Sequence, residues 1–121
     1  MSMPISHLTS NEQAAIDKYI RRIRKRFPGR ILSVTLFGSK ARGDDDAESD
    51  IDLLVLVDKE DPAFRSRLWA IASDISLEHN LVLSVRVIGQ ARWAESRRMR
   101  LPLYRAIESE AVPLTPSGRA R

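Results

Sequence analysis

Between Thr9 and Phe27 the apolar residues Ile16, Tyr19, Ile20, Ile23 and Phe27 recur every three or four positions, with charged residues on the opposite side. That period belongs to an α-helix burying one stripe, so the spacing predicts a helix over this stretch. Thr9 with Glu12, or Ser10 with Gln13, supplies a capping box at its start, and Pro28-Gly29 ends it. The pattern then shortens. Ile31 to Phe37 alternates partly and is rich in β-branched residues, which predicts a strand. Ile51 to Val57 is apolar except for Asp52 and reads as a second, buried strand. Asp61-Pro62 offers an N-cap and a proline at the first helical position. The helix that follows carries Phe64, Leu68, Ile71, Ala72 and Ile75 on one face and ends near His79-Asn80. Leu81 to Ile88 predicts a third strand stopped by Gly89, Ala91 to Arg98 a short helix, and Pro102 to about Glu110 another. Val112 to Leu114 is extended. Three core strands with helices between and around them predict an α/β domain, a small mixed β-sheet flanked by helices. Residues 1–114 read as one domain and 115–121 as a disordered tail.

Composition narrows the class. The 121 residues are 43% hydrophobic and 30% charged, ordinary for a soluble globular chain. There is no cysteine, which excludes disulfides and thiolate metal sites and fits a reducing compartment. The longest apolar run is too short to cross a bilayer, and Met1 to Pro4 lacks the charged and apolar regions of a signal peptide. A cytoplasmic protein that does not engage membranes is expected. Net charge is +4, but its distribution says more. Basic residues crowd the first and last thirds, whereas six of the 16 acidic residues fall between Asp44 and Asp52. A basic body around an acidic pocket suits a polyanion bridged through metal. The bland reading of the first basic cluster, from Lys18 to Arg30, is a solvated helix face. Interleaved aromatics are missing from it, so direct nucleic-acid binding is disfavoured.

The acidic pocket coincides with a motif. Gly38-Ser39-Lys40-Ala41-Arg42-Gly43 follows the first predicted strand, and Ser49-Asp50-Ile51-Asp52-Leu53 opens the second. Glycines flanking a serine let backbone N–H groups close around an anion. Ser39 to Arg42 can open a short helix whose dipole adds to that attraction. In a strand, residues two apart point the same way, so Asp50 and Asp52 aim at one place. Two such carboxylates repel unless a cation lies between them, and hard oxygen ligands suit Mg²⁺. Asp52 also interrupts an apolar run, where an unpaired carboxylate is expensive. Gly43 serves the turn of the loop. Lys40 is expected to face solvent, although it and Arg42 are available to offset phosphate charge. Asp44, Asp45 and Asp46 read as a solvated loop. His7 and His79 are isolated, and Trp69 and Trp93 are expected to pack against the sheet.

These two half-motifs, 38–43 and 49–53, resemble the signature of the nucleotidyltransferase superfamily related to DNA polymerase beta. More narrowly, the chain resembles the minimal nucleotidyltransferases, small proteins often paired with a helical HEPN partner. The order of elements is similar over roughly residues 10–114, including the late stretch Leu103 to Leu114. The resemblance implies that Gly38 and Ser39 contact the β- and γ-phosphates, and that Asp50 and Asp52 hold Mg²⁺ on the triphosphate. It implies attack of an acceptor hydroxyl on the α-phosphorus, with AMP moved from ATP. It further implies a HEPN toxin as acceptor, modified on a tyrosine and silenced, with this chain as its antitoxin.

The resemblance is incomplete at one place. Active members usually carry a third carboxylate on a later strand. The strand expected to carry it, Leu81 to Ile88, offers Ser84 and Arg86 at the alternating positions, and Glu78 would have to reach back to it. The competing reading is therefore a catalytically weak or inactive module that binds nucleotide or neutralises a partner by contact. For that role the arginine-rich helices with Leu101, Leu103 and Tyr104 supply a surface.

Overall fold

The computed structural model describes residues 8–43 and 50–115. Nine elements follow in chain order: α1 (Ser10–Arg26), β1 (Ile31–Phe37), α2 (Ser39–Arg42), β2 (Ile51–Val57), α3 (Pro62–His79), β3 (Leu83–Gly89), α4 (Gln90–Arg98), α5 (Pro102–Glu110) and β4 (Val112–Pro113). The strands form a mixed sheet in the order β3-β2-β1-β4. β2 and β3 run parallel, joined by α3, and the other pairs are antiparallel. This is the expected α/β architecture, with β4 as a fourth, two-residue strand.

Alternation along β2 divides the sheet into two faces. Ile51, Leu53, Val55 and Val57 join Val34, Leu36, Leu83 and Val87 in the main core, beneath α1 and α3. Asp52, Leu54 and Leu56 point to the other face, where Leu54 packs with Ile88, Ile107, Trp93 and Leu103 under α4 and α5. The long apolar run of β2 is thus apolar because both its faces are covered.

α1 seats Ala15, Ile16, Tyr19 and Ile23 in the main core. The Tyr19 hydroxyl donates to the Leu68 carbonyl of α3 at 3.0 Å, and burial pushes its phenol well above the ordinary value. Of the two possible capping boxes, Thr9 with Glu12 forms: Glu12 N–H donates to Thr9 Oγ1 at 3.0 Å and Thr9 N–H to Glu12 Oε1 at 2.9 Å. Arg21, Arg22, Arg24, Lys25 and Arg26 all stand on the exposed face of α1.

Three boundaries differ from the sequence pattern, each for a local reason. β3 begins at Leu83, not Leu81, because Asn80 closes α3 in the left-handed conformation (φ 56) and turns Leu81 N–H back to the Ser76 carbonyl. Gly89 does not stop the strand but completes it, opposite Val57. Thr115, expected in the tail, is buried, and its Oγ1 accepts from Val34 N–H at 3.0 Å. The Asp44–Glu48 loop, His7 and residues 116–121 lie outside the described residues.

β3 is an edge strand, and α3 with the loop before it covers that edge. Ser76 Oγ accepts from Leu83 N–H, Trp69 Nε1 donates to the Val85 carbonyl, and Glu60 Oε2 accepts from Gly89 N–H, at 3.0, 2.9 and 2.9 Å. At the opposite edge Pro113 sits in the short β4, where its missing N–H discourages further pairing.

Candidate active site

β1 and β2 are antiparallel, so the end of β1 lies beside the start of β2, with Phe37 paired to Asp52. Gly38 therefore follows directly beside the Asp52 side chain. Its φ is +78, and a Cβ built there would collide with the Asp52 carboxylate. Glycine is needed at this position twice over, for the backbone turn and for the space. The chain turns from Gly38 into α2, with Ala41 N–H donating to the Gly38 carbonyl at 3.1 Å. Asp50 is exposed and stands one residue before β2, two positions from Asp52.

Asp52 is half-buried and looks into a cavity of about 440 Å³ on the face away from the main core. Phe37, Ser84, Arg86, Arg65, Trp69 and Arg92 help to line it. The parallel register brings Ser84 opposite Asp52 and Arg86 opposite Leu54. Because strand neighbours in register share a face, Ser84 and Arg86 point to the side that Asp52 points to. Glu60 fixes two of the other basic walls: Arg65 Nη2 donates to its Oε1 at 2.9 Å and Arg92 Nε to its Oε2 at 3.0 Å. Gly89 packs so closely on Glu60 that a Cβ there would crowd its side chain.

Two expectations are corrected. Lys40 does not face solvent. Its side chain is 1% exposed and its ammonium donates to Glu12 Oε2 at 2.7 Å. An unpaired ammonium at that depth would be costly, and Glu12, with its other oxygen on Thr9 N–H, meets it. Trp69 is not packed away but 47% exposed at the cavity rim, whereas Trp93 does pack, edge-to-face with Tyr104 at 5.4 Å. Glu78 does not reach the site. It pairs with Lys18 at 3.0 Å, and that hydrogen bond holds its carboxyl below the usual carboxylate range.

The structure brings Gly38 and Asp52 together, starts α2 with Ser39 directly after Gly38, and engages Lys40 with Glu12. Sequence reading missed Arg65, Trp69, Arg92 and Glu60. Their sequence signals were single positions, Glu60 in the loop before α3, Arg65 and Trp69 on α3 and Arg92 on α4. Only the parallel β2–β3 register and the course of α3 along the edge of β3 join them to Asp52. Among the described residues no group of three acidic, histidine or cysteine side chains could hold a metal. Asp52 brings a carboxylate to the cavity and Asp50 lies two positions away in the chain; carboxylate donors suit an ion that completes its shell with water and phosphate oxygens.

Residues 16–111 match the family model described as a nucleotidyltransferase domain. Two relatives from Methanocaldococcus jannaschii, provisionally named protein adenylyltransferases, are 46% identical over 48 residues and 49% identical over 53 residues. Those stretches cover 40% and 42% of this chain. The chain spans about half the length of the curated relatives it matches, 48% and 52%. A crystal structure of a toxin–antitoxin with AMP-PNP superposes with a TM-score of 0.56 at 20% identity, over 92% of this chain and 77% of that one. A structure provisionally described as a minimal nucleotidyltransferase superposes with a TM-score of 0.54 at 23% identity, over 91% of this chain and 100% of the other. At such identities the likeness to these structures is one of fold.

Proposed function

The chain belongs to the nucleotidyltransferase domain family, and on that premise we propose that it moves AMP from ATP to a hydroxyl group of a partner protein. The observation that carries this reading is Gly38 packed against the Asp52 carboxylate at the start of β2, with Asp50 two residues away. Such an arrangement sets a loop able to take phosphates beside carboxylates able to take the cation that accompanies them. Asp50 and Asp52 would hold Mg²⁺, which when bound neutralises charge on the triphosphate. Backbone amides at Gly38 and Ser39 suit the β- and γ-phosphates, and Arg42 on α2 is close in sequence for the same charge. Lys40 belongs to the scaffold, because its amine is engaged with Glu12 inside the fold.

In the proposed step the acceptor oxygen attacks the α-phosphorus in line and pyrophosphate leaves. The chain's share is to position both reactants. Ser84 and Arg86 stand where a third carboxylate would be expected, so there is no acid on β3 to take the acceptor proton. A phenol, with a pKa of about 10, gives up its proton far more readily than an aliphatic hydroxyl. A tyrosine acceptor therefore fits this site best. The toxin–antitoxin among the fold neighbours, crystallised with AMP-PNP, supports a toxin as that partner and an antitoxin role for this chain. By resemblance the partner is a HEPN protein.

The test mixes the protein with ATP, Mg²⁺ and the protein encoded beside it, and reads the intact mass of that neighbour. The expected result is a gain of one AMP that is lost in an Asp50→Ala/Asp52→Ala variant. No gain, with equal binding of the neighbour by wild type and variant, overturns the reading. The missing acid favours a contact-only module as the alternative, and that outcome would establish it.

A further inference from the structure

The two positions of β3 that flank the proposed metal site carry no acid, and one carries a permanent cation. Ser84 lies in register with Asp52 and Arg86 with Leu54, both exposed, both on the face that Asp52 occupies, and both lining its cavity. An arginine side chain stays protonated at every accessible pH, and its planar fork of donors matches phosphate oxygens. Arg65 and Arg92, on the same cavity, each have Glu60 as a counter-charge. Among the described residues Arg86 has no such ion pair.

We infer that the site takes one divalent cation, on Asp50 and Asp52, and that Arg86 stands as the fixed positive charge in place of a second one. This rests on the nucleotidyl-transfer reading and specifies its metal count. Two cations about 3.5–4 Å apart, as in two-metal sites, need carboxylates enough to offset them. A single Mg²⁺ is satisfied by one or two carboxylates with phosphate oxygens and water. Among the described residues, Asp50 and Asp52 supply that much and no more. A second cation on the β3 side would have a serine hydroxyl for a ligand and a guanidinium for a neighbour, so its ligands would be too few and its neighbour repulsive. The guanidinium offers positive charge there without being held by any ligand. In the step itself, the acceptor oxygen bonds to the α-phosphorus, the α–β phosphoanhydride bond breaks, pyrophosphate leaves with the bridging oxygen, and the hydroxyl proton passes to water.

The test counts Mn²⁺ by electron paramagnetic resonance on the full chain saturated with α,β-methylene-ATP, an analogue that cannot transfer. Wild type should bind one Mn²⁺ per protein–analogue complex. Arg86→Asp should bind two, and so should Ser84→Asp/Arg86→Ala. Both positions are exposed, so both variants should fold, and the second serves if the first does not. Two Mn²⁺ in wild type, or one in both variants, overturns the inference while leaving nucleotide binding in place. A wild type that binds neither analogue nor Mn²⁺ sinks the nucleotidyl-transfer reading itself, and this inference with it.

Discussion

Gly38 shows how much one backbone position can decide. It holds a positive φ of +78 with its Cα against the Asp52 carboxylate, so any side chain there both strains the backbone and displaces an oxygen of the candidate metal site. The strain alone costs about 1–2 kcal/mol, which a domain survives. The displacement is the larger functional effect, since shifting a reacting group by about 1 Å can lower a rate by roughly 10²-fold. Gly38→Ala is therefore expected to stay folded by circular dichroism and to lose transfer activity by about two orders of magnitude. Near-normal activity would show that the loop and the carboxylate are not coupled. Sequence alone marks this glycine as permissive for an anion loop. That it is required by Asp52, 14 positions on, emerges from the antiparallel pairing of Phe37 with Asp52.

At the scale of elements, the short α2 is held by α1. Glu12 serves two masters, with one oxygen on its own helix's N-cap and the other on Lys40 of α2. Taking the charge from one member of a buried ion pair removes its partner's electrostatic complement, at a cost that can reach about 3–5 kcal/mol. Glu12→Gln should thus lower stability by roughly 3 kcal/mol and slow transfer, because α2 follows directly on Gly38. Lys40→Met should cost less in the Glu12→Gln background than alone, a coupling read from urea midpoints of both singles and the double. Strictly additive losses would contradict it. Most elements were legible, because α1, α3 and β2 advertise their burial by period and their ends by Thr9, Pro62 and Asn80. The Lys40–Glu12 pair was not, because a lysine in a polar loop looks solvated until a carboxylate 28 positions earlier is seen to meet it. The edge of β3 was equally hidden: Ser76, Trp69 and Glu60 have ordinary helix and loop roles until α3 is laid along that strand.

At the scale of the whole molecule, both sheet faces have distinct tasks. The α1/α3 face buries the main core and supplies stability, while the face under α4 and α5 leaves Asp52, Ser84 and Arg86 open to a cavity. No helix among the described residues is long and apolar enough to cross a membrane. Arg65, Arg86 and Arg92 line the cavity, whereas the exposed arginines of α1 stand on the opposite side of the sheet from it. Of the motif that reads as a nucleotide site in the sequence, Gly38 and Asp52 meet in space, while Lys40 turns to Glu12. What the sequence leaves open is the chemistry at the third corner, where β3 brings a hydroxyl and a guanidinium instead of an acid. The central claim, transfer of the nucleoside monophosphate, is tested most directly by giving the protein and its encoded neighbour ATP labelled either at the α- or at the γ-phosphate. Nucleotidyl transfer predicts label on the neighbour from α-labelled ATP alone, with the γ-label released as pyrophosphate. Label from γ-labelled ATP, or from neither when binding of the neighbour is intact, would contradict it.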